Sequence, residues 1–261
     1  MIKIEEESIS SSVYLSRIIK GWNHFKKIWW INLITSINRF LIYTKRYLTL
    51  SSSLLLTILF ITIFIIPLFP VTYHRLFFSV SYTIIFILSA FSVQYLQKRV
   101  MYFALLVIVV EWISIILNMP ILFKISLPIN FIFFLFMVGI LIVQIAKAKD
   151  VTIRVLLESI SVYLLLGISF SIIVSLLESI SPNSFNFNKI SGPINSNYLY
   201  NIDYMYFTFV SFTSTGYGDY LPLTPTAKSL SILISITGQL YIAIIIAMIV
   251  GKYLSKPSHS N

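Results

Sequence analysis

The sequence predicts an all-α membrane protein, with six transmembrane helices and a re-entrant loop between the fifth and the sixth. Three observations carry that reading. Of 261 residues, 57% are hydrophobic and only 11% are charged, with a mean hydropathy of +0.89, too little polar side chain to cover a soluble domain. Apolar stretches recur at a length of about 20 residues, which a helix needs to cross a hydrocarbon core of about 30 Å. Finally, residues 198–222 lie between the last two apolar runs and are too short to cross twice as helices. Irregular backbone at membrane depth is tolerated only where protein or a water-filled cavity surrounds it.

In chain order, the spans fall near 48–69, 76–96, 100–118, 128–147, 152–177 and 228–250. Pro67, Pro70, Pro120 and Pro128 lie at or near predicted helix ends, where proline terminates rather than kinks. Three regions follow: an interfacial segment 1–47, a peripheral four-helix domain 48–149 and a two-helix domain 150–261 enclosing the loop. In the first, Trp22, Phe25, Trp29, Trp30 and Phe40 alternate with Lys and Arg, a pattern suited to helices lying in the membrane interface. Its ordinary role is an anchor; lipid sensing is the sharper alternative. Apolar sequence begins only near residue 48, which predicts no secretory signal. The stretch after Tyr253 is short, which predicts no regulatory domain following the last span.

Charge sets the expected orientation. Of 19 Lys and Arg, only Arg75, Lys124, Lys189 and Lys228 fall on the predicted outer side. Basic residues concentrate in cytoplasmic loops, so both termini are expected in the cytoplasm of a multi-pass plasma-membrane protein. The net charge of +10 then reflects topology and attraction to anionic lipid, and calls for no nucleic acid. The fourth span carries no charge from Leu127 to Ala146, which argues against voltage sensing by that helix. Cysteine is absent, excluding disulfides, thiolate metal sites and Cys nucleophiles. His24, His74 and His259 have no metal-ligand spacing, and no arrangement of catalytic side chains is visible. The chain reads as neither an enzyme nor the holder of a cofactor.

The loop holds the most informative residues: Thr213, Ser214, Thr215, Gly216, Tyr217, Gly218 and Asp219. A pore that strips water from K⁺ must replace it with oxygens of nearly equal energy, and rings of backbone carbonyls do so. Aiming successive carbonyls at one axis requires alternating right- and left-handed backbone values, which glycine adopts freely. Gly216 and Gly218 meet that need.

The stretch from Tyr206 to Pro222 resembles the pore helix and filter of tetrameric potassium channels, and the resemblance extends over roughly residues 155–251. It is nearest to small prokaryotic six-span channels whose inner helix carries Gly-Gln-Leu-Tyr, here Gly238 to Tyr241. Where the family usually reads Thr-Val-Gly-Tyr-Gly-Asp, this chain has Ser214 and Thr215 at the first two positions. The resemblance implies a homotetramer passing K⁺ without a cofactor. K⁺ would bind at the carbonyls of Ser214, Thr215, Gly216 and Tyr217 and at the Ser214 hydroxyl. Tyr206 and Phe207 would form an aromatic cuff, at positions where many channels carry two tryptophans, and Asp219 would sit at the outer mouth. Gly238 would be a hinge in the inner helix, with close helix packing as the alternative, because a mid-helix glycine costs roughly 1 kcal/mol against alanine. Ile242, Ile245, Ile246 and Ile249 would line the cavity and inner gate.

Other readings have less in their favour. A transporter of the Trk/Ktr type carries four loops per chain, whereas this chain has one. A weakly selective cation channel would fit a filter loosened by Ser214 and Phe207, and a non-conducting regulatory subunit would keep the fold without flux. Asp203 is expected to cap the pore helix. Glu111, the one acid well inside a span, is expected to pair with Arg75 or His74. Arg154 and Glu158 should form a local pair, being four residues apart on one helix.

Overall fold

In the computed structural model, residues 47–94, 96–117, 120–187 and 202–254 are described; the segment predicted to lie in the interface falls outside them, Tyr47 apart. Among the described residues, six helices are long and apolar enough to cross a membrane. They are α1 (Tyr47–Leu68), α2 (Val71–Ser92), α3 (Gln97–Ile116), α4 (Pro120–Lys147), α5 (Ile153–Ile180) and α7 (Pro225–Leu254), with a short helix α6 (Ile202–Phe212) before the last. The described residues contain no strand, only an isolated bridge between Phe185 and Pro222.

Proline explains most departures from the predicted ends. Pro70 is the N-cap of α2, so that helix begins at Val71 rather than near 76. At the end of α1 a π-turn, Ile61–Ile65, and a 3-10 turn, Ile66–Leu68, precede Pro70 and absorb Pro67, since proline removes a backbone donor and crowds the preceding turn. Helix α4 starts at Pro120, where a missing N–H costs nothing. It then runs through Pro128, correcting the expectation that Pro128 marks a helix start. Helix α7 extends to Leu254 and therefore contains Gly251 as well as Gly238.

Packing follows side-chain size. Phe78, Tyr82 and Phe86 of α2 are fully buried against Phe133 and Phe134 of α4. Ring centroids lie 5.6 Å apart for Tyr82–Phe134 and 4.8 Å for Phe86–Phe133, the edge-to-face spacing that aromatic quadrupoles favour. Helix α5 is lined with small residues instead. Its buried Ser159, Ser161 and Ser169 donate to carbonyls one turn back, which satisfies each hydroxyl locally and lets neighbouring helices approach.

The spans alternate in direction, so contacts sort into two ends. At one end Glu158 is only 2% exposed and its Oε1 accepts from Arg154 Nε (2.6 Å), Gln144 Nε2 (2.8 Å) and Ser52 Oγ (3.2 Å). Gln144 Nε2 also donates to Ser92 O, and Gln144 Oε1 accepts from the Gln94 N–H. The local pair expected of Arg154 and Glu158 is present, inside a knot that joins α1, α2, α4 and α5. A buried carboxylate survives only with such company. At the same end the Lys252 ammonium donates to Ile145 O and Ala146 O at the C-terminus of α4, where the helix dipole favours a cation. Glu111 is 1% exposed, with the Asn130 amide 3.5 Å from its Oε2. His74 Nε2 lies 2.6 Å from Phe69 O, so the ring is engaged by its own helix entry.

Candidate functional site

Helix α6 leads directly into the glycine-containing segment. It is anchored on its buried face by Tyr204, Met205, Phe207, Thr208 and Phe212. Phe207 packs against Phe185 and Phe187, at ring distances of 4.9 and 5.9 Å; it thus joins an apolar cluster, while Tyr206 stays exposed. Asp203 lies in the first turn of α6, where a negative charge suits the helix dipole. Its Oδ1 accepts from Tyr220 OH at 3.0 Å, so it ties the helix start to the far side of the loop.

Two elements brace this helix. Gly167 of α5 faces Phe209, whose Cε1 would lie 2.4 Å from an added Cβ. Gly238 of α7 faces the last residue of α6, with Phe212 O only 1.9 Å and Phe212 C 2.9 Å from the position of a Cβ. The close-packing alternative for Gly238 therefore has a concrete basis: α7 crosses the end of α6 where no side chain fits. Tyr241, one turn on, donates to Ser159 O at 2.7 Å and fixes α7 to α5.

Past Phe212 the chain turns back on the helix it has just left. Thr215 N–H and Gly216 N–H both donate to Val210 O, at 2.9 and 3.3 Å. Among the described residues no peptide is cis, and in a trans peptide the carbonyl points opposite to the N–H of the same plane. The carbonyls of Ser214 and Thr215 are thereby both turned away from the helix, toward one side. Such alignment requires every second residue to be left-handed, as observed: φ is +57° at Ser214, +58° at Gly216 and +79° at Gly218. The two glycines adopt these values without steric cost. Ser214 does not, since a positive φ is uncommon outside glycine, and its residue type carries no sign of it.

The hydroxyls of Thr213, Ser214 and Thr215 differ in their engagement. Thr213 Oγ1 donates back to the helix, 2.8 Å from Phe209 O, and lies 2.9 Å from Thr215 Oγ1. Ser214 Oγ makes no hydrogen bond among the described residues. Residues Thr213 to Asp219 are all exposed in a single chain, Tyr217 at 71%.

Beyond the glycines, Tyr206 OH donates to Asp219 Oδ2 at 2.7 Å. This bond, first among several influences, holds the Asp219 carboxyl below its ordinary pKa; it also pushes the Tyr206 hydroxyl up to about 12. Asn186 donates from Nδ2 to Asp219 O and accepts from Leu221 N–H. Glu178 accepts from the N–H groups of Asn183 and Phe185, shaping the turn that presents Asn186. Sequence reading missed both residues, since neither stands in a recognisable pattern.

Of the eight isoleucines in α7, the four expected at the gate lie along one stripe of the helix, spaced i, i+3, i+4 and i+7, but they differ in burial. Ile245 is buried in the subunit's own core beside Tyr241, whereas Ile242 and Ile246 are exposed, at 38% and 56%, and Ile249 is half-buried against the core. Ile245 thus lies at the edge of that stripe nearest Tyr241 and the core. Among the described residues no group of acids and histidines has metal-binding geometry.

No curated protein and no solved structure matches the chain. A family model described as an ion channel matches residues 160–255, which embrace most of α5, then α6, the glycine-containing segment and α7. The short helix α6, the segment hung from its end and the two flanking spans are accordingly the parts that resemble an ion channel domain, in a chain whose six apolar helices mark a multi-pass membrane protein.

Proposed function

We propose that this channel is potassium-selective and works as a homotetramer, four copies of residues 214–218 surrounding a dehydrated K⁺. The observation that carries the reading is the pair of N–H bonds to Val210 O, because they aim consecutive carbonyls to one side. A ring of such oxygens replaces the hydration shell. Ser214 Oγ, unengaged within its subunit, would add the innermost ligand; Asp219 would concentrate cations at the outer mouth. One filter segment per chain makes a closed ring of four the simplest assembly. Ile242 and Ile246 are the gate candidates best supported by their exposure, and an apolar ring can close a pore by dewetting. Basic loops support cytoplasmic termini and an anionic inner leaflet around the knot at Glu158.

The test is ion flux from purified protein in liposomes. K⁺ should pass well ahead of Na⁺ and be blocked by Ba²⁺, and Gly216→Ala should abolish both, because φ at Gly216 is +58°. Equal K⁺ and Na⁺ permeation by the unmodified protein would exclude the proposal. It would leave the weakly selective cation channel.

A further inference from the structure

The Thr215 side chain has no task in carbonyl coordination itself, since its backbone oxygen is offered whatever the side chain. Its geometry gives it another. Thr213 Oγ1 lies 2.8 Å from Phe209 O and 3.3 Å from Val210 O, so its one proton goes to the helix carbonyls. The 2.9 Å contact between the two threonine hydroxyls must then use the Thr215 proton, with Thr213 Oγ1 accepting. A relay runs from Thr215 OH through Thr213 OH to the last turn of α6. It bears on the two peptide planes already held by Val210 O, one of them by a long bond of 3.3 Å. It also lies on the side opposite the Ser214 and Thr215 carbonyls. The relay pins to α6 the Thr215 Cα that both planes share, and so limits how far either plane can turn.

We infer that Thr215, acting through Thr213, is a positioning residue for cation coordination: its hydroxyl locks the orientation of the Ser214 and Thr215 carbonyls. The inference rests on the proposed potassium-channel function. A valine of the same shape at this position fills the space and leaves both carbonyls free to turn.

The test compares Thr215→Val, Thr215→Ala and Thr215→Ser in the full-length protein. One readout is the K⁺ concentration that half-protects the purified protein against heat, with Na⁺ as the control salt; the other is K⁺ over Na⁺ flux in liposomes. Thr215→Ser should match the unmodified protein. Val and Ala should need about fivefold more K⁺, the factor a single net hydrogen bond corresponds to, with no change in Na⁺ alone. A purely structural role would shift heat stability equally in both salts and would overturn the inference, as would Val and Ser variants with the same K⁺ midpoint. If Val fails to assemble, Ala against Ser decides on the same criterion. An unmodified protein indifferent to K⁺ would overturn the channel reading and this inference together; K⁺ preference in the unmodified protein with unchanged variants would overturn this inference alone.

Discussion

Tyr206 and Asp219 are joined by a 2.7 Å hydrogen bond from the phenol to Oδ2, which closes a loop around the glycine-containing segment. The acceptor directly follows Gly218 and the donor sits in the first half of α6. Everything between them, from Thr213 to Gly218, is held at both ends: by Val210 O below and by this bond above.

The bond has a pH signature. Asp219 is held below its ordinary pKa, chiefly by Tyr206, so its contribution is complete above the ordinary carboxylate range and is lost only as pH falls through the lowered value. In Tyr206→Phe the carboxyl should titrate nearer its ordinary value of about 4. Acid titration of K⁺-protected heat stability should therefore fall off at a higher pH in the variant than in the unmodified protein. Coincident acid limbs would show that the bond does not govern the outer mouth.

Gly238 and Gly251 make a matched pair on one helix. A methyl at 238 would collide with the Phe212 backbone at 1.9 Å, whereas one at 251 meets nothing within 4 Å. Gly238→Ala should displace the end of α6, giving poor recovery of assembled protein and loss of K⁺ protection. Gly251→Ala should be neutral or slightly stabilising, as alanine is the better helix former. A well-assembled, heat-stable Gly238→Ala with altered gating would instead restore the hinge.

Removing Arg154 leaves Glu158 buried with two neutral donors. Breaking a buried pair from one side costs about 3 kcal/mol or more, so Arg154→Met should lower the thermal midpoint in detergent markedly. Arg154→Met combined with Glu158→Leu should recover much of the loss. A shift for the single variant no larger than that of a surface substitution would show the knot to be dispensable.

Thr208 Oγ1 is fully buried in α6 and has no hydrogen-bond partner among the described residues. Replacing an unsatisfied polar group by an apolar one of similar shape is neutral or favourable. Thr208→Val should match or exceed the unmodified protein in heat stability; a loss of more than about 1 kcal/mol would mean that the hydroxyl is satisfied in the assembled channel.

Much of this molecule is written locally. Span number follows from transfer of apolar side chains out of water, a property of each stretch of about 20 residues. The left-handed positions at Gly216 and Gly218 follow from residue type alone, and so does the pairing of Arg154 with Glu158 along one helix. Other features depend on which helices meet. Ser52 reaches Glu158 across 106 residues of chain. Gly238 owes its identity to Phe212 on another element, and Ile245 is buried because Tyr241 and α5 lie on that side. Pro128 sits inside α4 because a neighbouring bundle supports a helix that propensity would have ended. Sequence determined the membrane class, the spans and the left-handed glycine segment, because solvent transfer and backbone sterics act on neighbours in the chain. Tertiary structure decided which hydroxyl stays unengaged, why a glycine is required and what keeps a buried acid in place, because those are contacts between residues that only packing brings together.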